Sequence, residues 1–155
     1  MKKRGFGLVE VLIGASILGA SLVGMVAAYN RYLRASFVNT DSIKAAFLLE
    51  EGLEAVRSLR DDGWDMMVAP LAVGTNYFLA FENGKWKATT INIFLDSKFE
   101  RRFVFADVYR DGNDDIVSSG TLDTGTRKVT VTVSWATTYG TSTKTIASYI
   151  TDMFE

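Results

Sequence analysis

Residues 2–29 read KKRGFGLVEVLIGASILGASLVGMVAAY, a short basic head followed by a long apolar run. From Val11 to Tyr29 no side chain carries a charge. About 20 consecutive apolar residues span a bilayer as a helix, so this stretch predicts a membrane-crossing segment. Lys2, Lys3 and Arg4 would stay on the cytoplasmic side and direct the remainder outward. One acid, Glu10, stands at the start of the run. A carboxylate is costly in hydrocarbon and calls for a partner or a purpose.

Working outward, residues 30–37 are amphipathic, and Tyr29, Arg31, Tyr32 and Arg34 suit a membrane–water boundary. Asn39-Thr40-Asp41-Ser42 is a polar interruption, read as a continuous but locally weakened helix. From Ile43 the helical period resumes. Ala45, Leu48, Leu49, Leu53, Val56 and Leu59 form one apolar stripe, with Lys44, Glu50, Glu51, Glu54 and Arg57 mostly off it as a solvated face. Gly63 is placed to end the helix near Asp62.

Beyond Trp64 the period changes to two. Tyr77–Phe81, Asn83-Gly84 and Lys85–Lys87 predict a β-hairpin, because Asn-Gly supplies the two positive φ angles of a type I′ turn. Phe103–Tyr109 is a second strand region. Lys128–Trp135 is the clearest strand, with Val129, Val131, Val133 and Trp135 on one face and Thr130, Thr132 and Ser134 on the other. Residues 138–141 turn the chain into a last strand, Lys144–Ile150. A long helix followed by antiparallel strands is an α+β order.

Composition narrows function. The 155-residue chain has no Cys and no His, which removes thiol chemistry, thiolate metal sites and the commonest general base. No spacing couples a base to a nucleophile, and no Gly-rich phosphate loop occurs, so an enzyme is not expected. Without Lys2, Lys3 and Arg4, fourteen basic residues face eighteen acids, a net of −4. That argues against a nucleic-acid partner. Arg101, Arg102, Arg127 and Lys128 are read as ordinary strand-edge and loop charges rather than a DNA-contacting patch.

Lys3-Arg4-Gly5 followed by Phe6-Gly7-Leu8-Val9-Glu10 resembles the leader and cleavage site of type IV prepilins, the family of pilins and secretion pseudopilins. The resemblance covers roughly residues 3–30. It implies cleavage by a prepilin peptidase between Gly5 and Phe6, methylation of the new Phe6 amine, and a role for Glu10 in assembly. It also implies a pilin-like fold: leader 1–5, transmembrane and assembly helix 6–29, amphipathic continuation 30–62, and an extracytoplasmic β-rich domain 63–155 on which the second half of the helix packs. The implied partners are the peptidase, other pilin subunits, inner-membrane assembly machinery and membrane lipid. The implied location is a single-pass inner membrane protein that passes into a periplasmic or extracellular filament. Many major pilins carry a Pro late in the apolar helix, and residues 26–29 carry none. With the missing disulfide, this points to a minor pilin or pseudopilin. The alternative is a membrane-anchored extracytoplasmic binding domain that never polymerises.

One cluster resembles a metal site. Asp111, Asn113 and Asp115 alternate as the first oxygen ligands of a calcium loop would, and Asp123 stands as a further oxygen donor. Ile116 and Leu122 occupy the places where such a loop has Gly and a bidentate Glu. A plain Asp/Asn/Gly turn is the simpler account, and no other cofactor is expected.

Overall fold

The computed structural model describes residues 7–138 and 140–153, and for residues 34, 35 and 37–39 the backbone alone. The chain is α+β: one helix, α1 (Leu8–Asp61), precedes an antiparallel sheet of seven strands. The helix passes unbroken through residues 39–42, as read from the sequence, yet the chain divides into two units at Ser42/Ile43.

In the first unit the helix is apolar on all sides from Val11 to Tyr29. Its segment Leu8–Leu33 has a mean hydropathy of 2.2 and none of it is buried, so it is long and apolar enough to cross a membrane. Ser16 and Ser21 direct their hydroxyls to the carbonyls of Leu12 and Ile17, at 2.7 and 2.8 Å. No side chain of the described residues lies within 4 Å of the Cβ positions of Gly14, Gly19 or Gly24.

In the second unit the expected stripe does face a sheet: Ala45, Leu49, Leu53, Val56 and Leu59 are buried, and Leu48 is partly so. The strands are β1 (Tyr77–Glu82), β2 (Lys85–Thr89), β3 (Phe94–Leu95), β4 (Phe99–Arg110), β5 (Ile116–Val117), β6 (Thr121–Thr137) and β7 (Gly140–Thr151). Their order is β2-β1-β4-β6-β7, with the short β3 and β5 paired to β4. Phe99, Phe103 and Phe105 of β4 and Val129, Val131, Val133 and Trp135 of β6 alternate onto the helix side and are buried. Fully burying each such side chain stabilises by about 1.5–3 kcal/mol. This core is what holds α1 on the sheet.

Asn83 and Gly84 have φ of 53° and 76°, the expected I′ turn. The hairpin of β3 with β4 turns at Asp96 and Ser97, also at positive φ (49° and 55°), where the sequence offers no Gly. Asp visits this region more readily than most residues, and Asp96 also forms an ion pair with Lys44. Gly63 does end the helix, but at φ 137° and ψ 115° it is not the left-handed cap expected. It leads into a single π-helical turn, Trp64–Val68, that buries Trp64 and Val68.

Candidate functional site

Gly5 and Phe6 lie outside the described residues. Glu10 sits in the first turn of α1, and its Oε2 accepts the backbone N–H of Gly7 at 3.2 Å. A negative charge is favourable at a helix N-terminus, where backbone N–H groups lack partners. Around it Leu8, Val9, Val11, Leu12 and Ile13 are all exposed. The segment is therefore an uncovered apolar rod carrying one carboxylate near its start.

The Asp-rich loop follows β4. Asp111 Oδ1 accepts the N–H groups of Asn113 and Asp115 at 2.8 and 3.0 Å, so this carboxylate shapes the turn. Asp123 does not join it. Its Oδ2 accepts Nε of Arg110 at 2.6 Å and its Oδ1 accepts the N–H of Gly125 at 3.0 Å. Arg110 also donates to the Asp114 carbonyl at 2.8 Å. Among the described residues no three acidic side chains gather as metal ligands would. Asp111 is engaged by two backbone N–H groups and Asp123 by Arg110, the arrangement of an Asp/Asn/Gly turn.

Hydrogen bonds from Arg110 and Thr126 hold the Asp123 carboxyl below the ordinary carboxylate value, and the bond to Asp123 in turn pushes Arg110 further above its own. A depressed carboxyl contributes stability that is present above its unfolded value of 3.8 and is lost as pH falls through the folded value. Asp123→Asn is therefore expected to lower the melting temperature at neutral pH. The gap from wild type should close on acidification below about pH 4. A gap that stays constant from pH 7 to pH 2 would count against the pair.

A third group was not foreseen in the sequence. Arg101, expected at the surface, is 2 % exposed on the helix side of β4. Its Nη1 donates to Glu51 Oε2 at 2.8 Å and to the Leu48 carbonyl at 3.3 Å, and its guanidinium lies over the Trp86 ring, 5.4 Å from the centroid. Gly52 makes room for it: a Cβ there would stand 2.9 Å from Arg101 Cδ and from Val131 Cγ1. Glu51 is thus the ion-pair partner of a buried cation rather than part of a solvated face. Arg102, on the opposite face, pairs with Glu100, and Arg127 pairs with Asp107. The four basic residues do not assemble into one patch.

The signal for Arg101 was available. Phe99, Phe103 and Phe105 flank it at period two, which assigns Arg101 to the buried face. Gly52, inside a helix where Gly costs about 1 kcal/mol relative to Ala, marked the close approach.

None of these arrangements couples a nucleophile to a base. What they offer chemically is an apolar helix that must be covered, and a sheet domain tied to its second half by a buried cation. No protein-family model, curated protein or solved structure matches the chain.

Proposed function

We propose that the chain is a structural subunit of a type IV pilus or a related secretion filament, and that it is a minor pilin or pseudopilin rather than a major pilin. The observation that carries this reading is the helix segment Leu8–Leu33, with a mean hydropathy of 2.2 and none of it buried, carrying a single carboxylate at Glu10. Such a segment is stable only in hydrocarbon or against other apolar helices. The resemblance of residues 3–10 to a prepilin cleavage site supplies the route from one to the other. A prepilin peptidase would cut after Gly5 and methylate Phe6. The helix, left attached to the extracytoplasmic domain, would then leave the inner membrane by packing against copies of itself or sister subunits.

In an apolar filament core the Phe6 amine of one subunit and the Glu10 carboxylate of a neighbour would neutralise each other and fix the axial register. Ser16, Ala20 and Gly24, spaced by four, would let helices approach closely. Co-expression with a prepilin peptidase tests the reading. Intact-mass spectrometry is expected to show loss of Met1–Gly5 and gain of one methyl group. An unprocessed N-terminus would instead favour the non-polymerising membrane anchor.

A further inference from the structure

The face of the sheet away from α1 carries a cleft of about 370 Å³, lined by Tyr109, Ile116, Val117, Ser118, Lys128 and Tyr149. Register explains why it exists. Lys128 stands between Ala106 on β4 and Tyr149 on β7, so a small residue leaves space on one side of it. The register of β4 against β6 shifts between Asp107 and Val108, and such an irregularity bends the strand locally. Lys128 is half-buried. Asp107 also lines the cleft, with its carboxylate paired to Arg127, and among the described residues no carboxylate pairs with Lys128. The hydroxyls of Tyr109, Ser118 and Tyr149 likewise have no hydrogen-bond partner among the described residues. Tyr149, the register partner of Lys128, is 47 % exposed, which leaves much of its ring open in the cleft.

Beyond the cleft the same face continues as rows of hydroxyls. Thr132 of β6 stands opposite Thr145 of β7, and Ser134 opposite Thr143. The Oγ1 atoms of Thr132 and Thr145 are 3.5 Å apart. The charged pair on this stretch, Arg102 with Glu100, neutralises itself.

We propose that this cleft binds a carboxylate-bearing sugar residue of a glycan, with the carboxylate on Lys128, the ring against Tyr149, and the following sugars along the Thr rows. A single unpaired cation suits one carboxylate, whereas a nucleic acid requires several phosphate contacts. An aromatic ring beside hydroxyl donors suits the apolar and polar sides of a pyranose. The cleft lies near the small end of ligand sites, about 300–1,000 Å³, which fits one terminal residue. This inference does not depend on whether the chain polymerises.

The test titrates the full-length protein in detergent micelles with trigalacturonic acid and with sialyllactose, using neutral galactotriose and inorganic phosphate as comparators. Binding is followed by calorimetry. At least one acidic sugar is expected to bind more tightly than both comparators. Lys128→Met should weaken it about tenfold or more, as loss of a hydrogen bond to a charged group does. Tyr149→Ala should weaken it as well, with the melting temperature of each variant retained. Equal binding of the neutral sugar, full competition by phosphate alone, indifference to Lys128→Met, or no heat with either acidic sugar at about ten times a millimolar dissociation constant would each overturn the proposal. If Lys128→Met itself fails to fold, the Tyr149→Ala result decides: unchanged affinity there overturns it too.

Discussion

Glu51→Ala is expected to destabilise the protein by about 3 kcal/mol, the low end of the range for breaking a buried ion pair. Arg101→Met, at the other end of the same contact, should cost less than about 1.5 kcal/mol. The asymmetry follows from where each charge sits. The Arg101 side chain is 2 % exposed and that of Glu51 is 49 % exposed. Removing the carboxylate strands a guanidinium between helix and sheet, with the Leu48 carbonyl and the Trp86 face as its remaining neighbours. Removing the guanidinium leaves a carboxylate that water already reaches, and methionine fills much of the space beside Gly52. The double variant should behave like Arg101→Met alone, because the stranded charge is gone. Chemical denaturation of the four proteins in the same detergent measures all three differences. Equal costs for the two single substitutions would show that the pair behaves as an ordinary surface contact.

The second large effect concerns Glu10. Glu10→Ala is expected to abolish incorporation into filaments while leaving removal of Met1–Gly5 intact. In the single chain, among the described residues, its carboxylate has only the Gly7 N–H, at 3.2 Å, a local bond that stabilises the helix start by about 0.3–1 kcal/mol. Loss of that bond would barely change the folded chain. In a filament core the same substitution would leave a neighbouring amine buried without an opposite charge, at a cost of about 3–5 kcal/mol per contact. Glu10→Asp should retain part of the activity, since the charge remains while its reach shortens. Immunoblots of sheared filaments set against membrane fractions separate the outcomes. Normal incorporation of Glu10→Ala would remove the assembly role from this residue.

How far the sequence could be read depended on whether one physical signal acted alone. Val129, Val131, Val133 and Trp135 are legible as a buried strand face because period two and burial agree at every position. Asn83-Gly84 is legible because both residues tolerate positive φ. Asp96-Ser97 adopts positive φ at both residues without a Gly, and no local pattern as clear as Asn-Gly announces it. Residue type misled at Arg101, where a charge in a buried alternation was assigned to the surface although its neighbours pointed inward. At residues 111–115 the simpler reading, an Asp/Asn/Gly turn, is legible from residue type, and Asp111 accepts two backbone N–H groups there. The strands proved longer than expected, with β6 beginning at Thr121, because its first residues are mostly polar and largely exposed. The apolar period that marks a strand reports burial, and it fades where burial does.

Ser16 and Ser21 have a consequence for how the N-terminal helix tolerates its surroundings. Each hydroxyl is already bonded to a carbonyl one turn earlier. Neither therefore demands a partner from outside, and neither loses one when the surroundings change. With every main-chain group of the segment's interior bonded within the helix, lipid tails and packed side chains are nearly equivalent solvents for it. Exchange between them is close to neutral in hydrogen bonding, and side-chain packing together with the single carboxylate decides which is preferred.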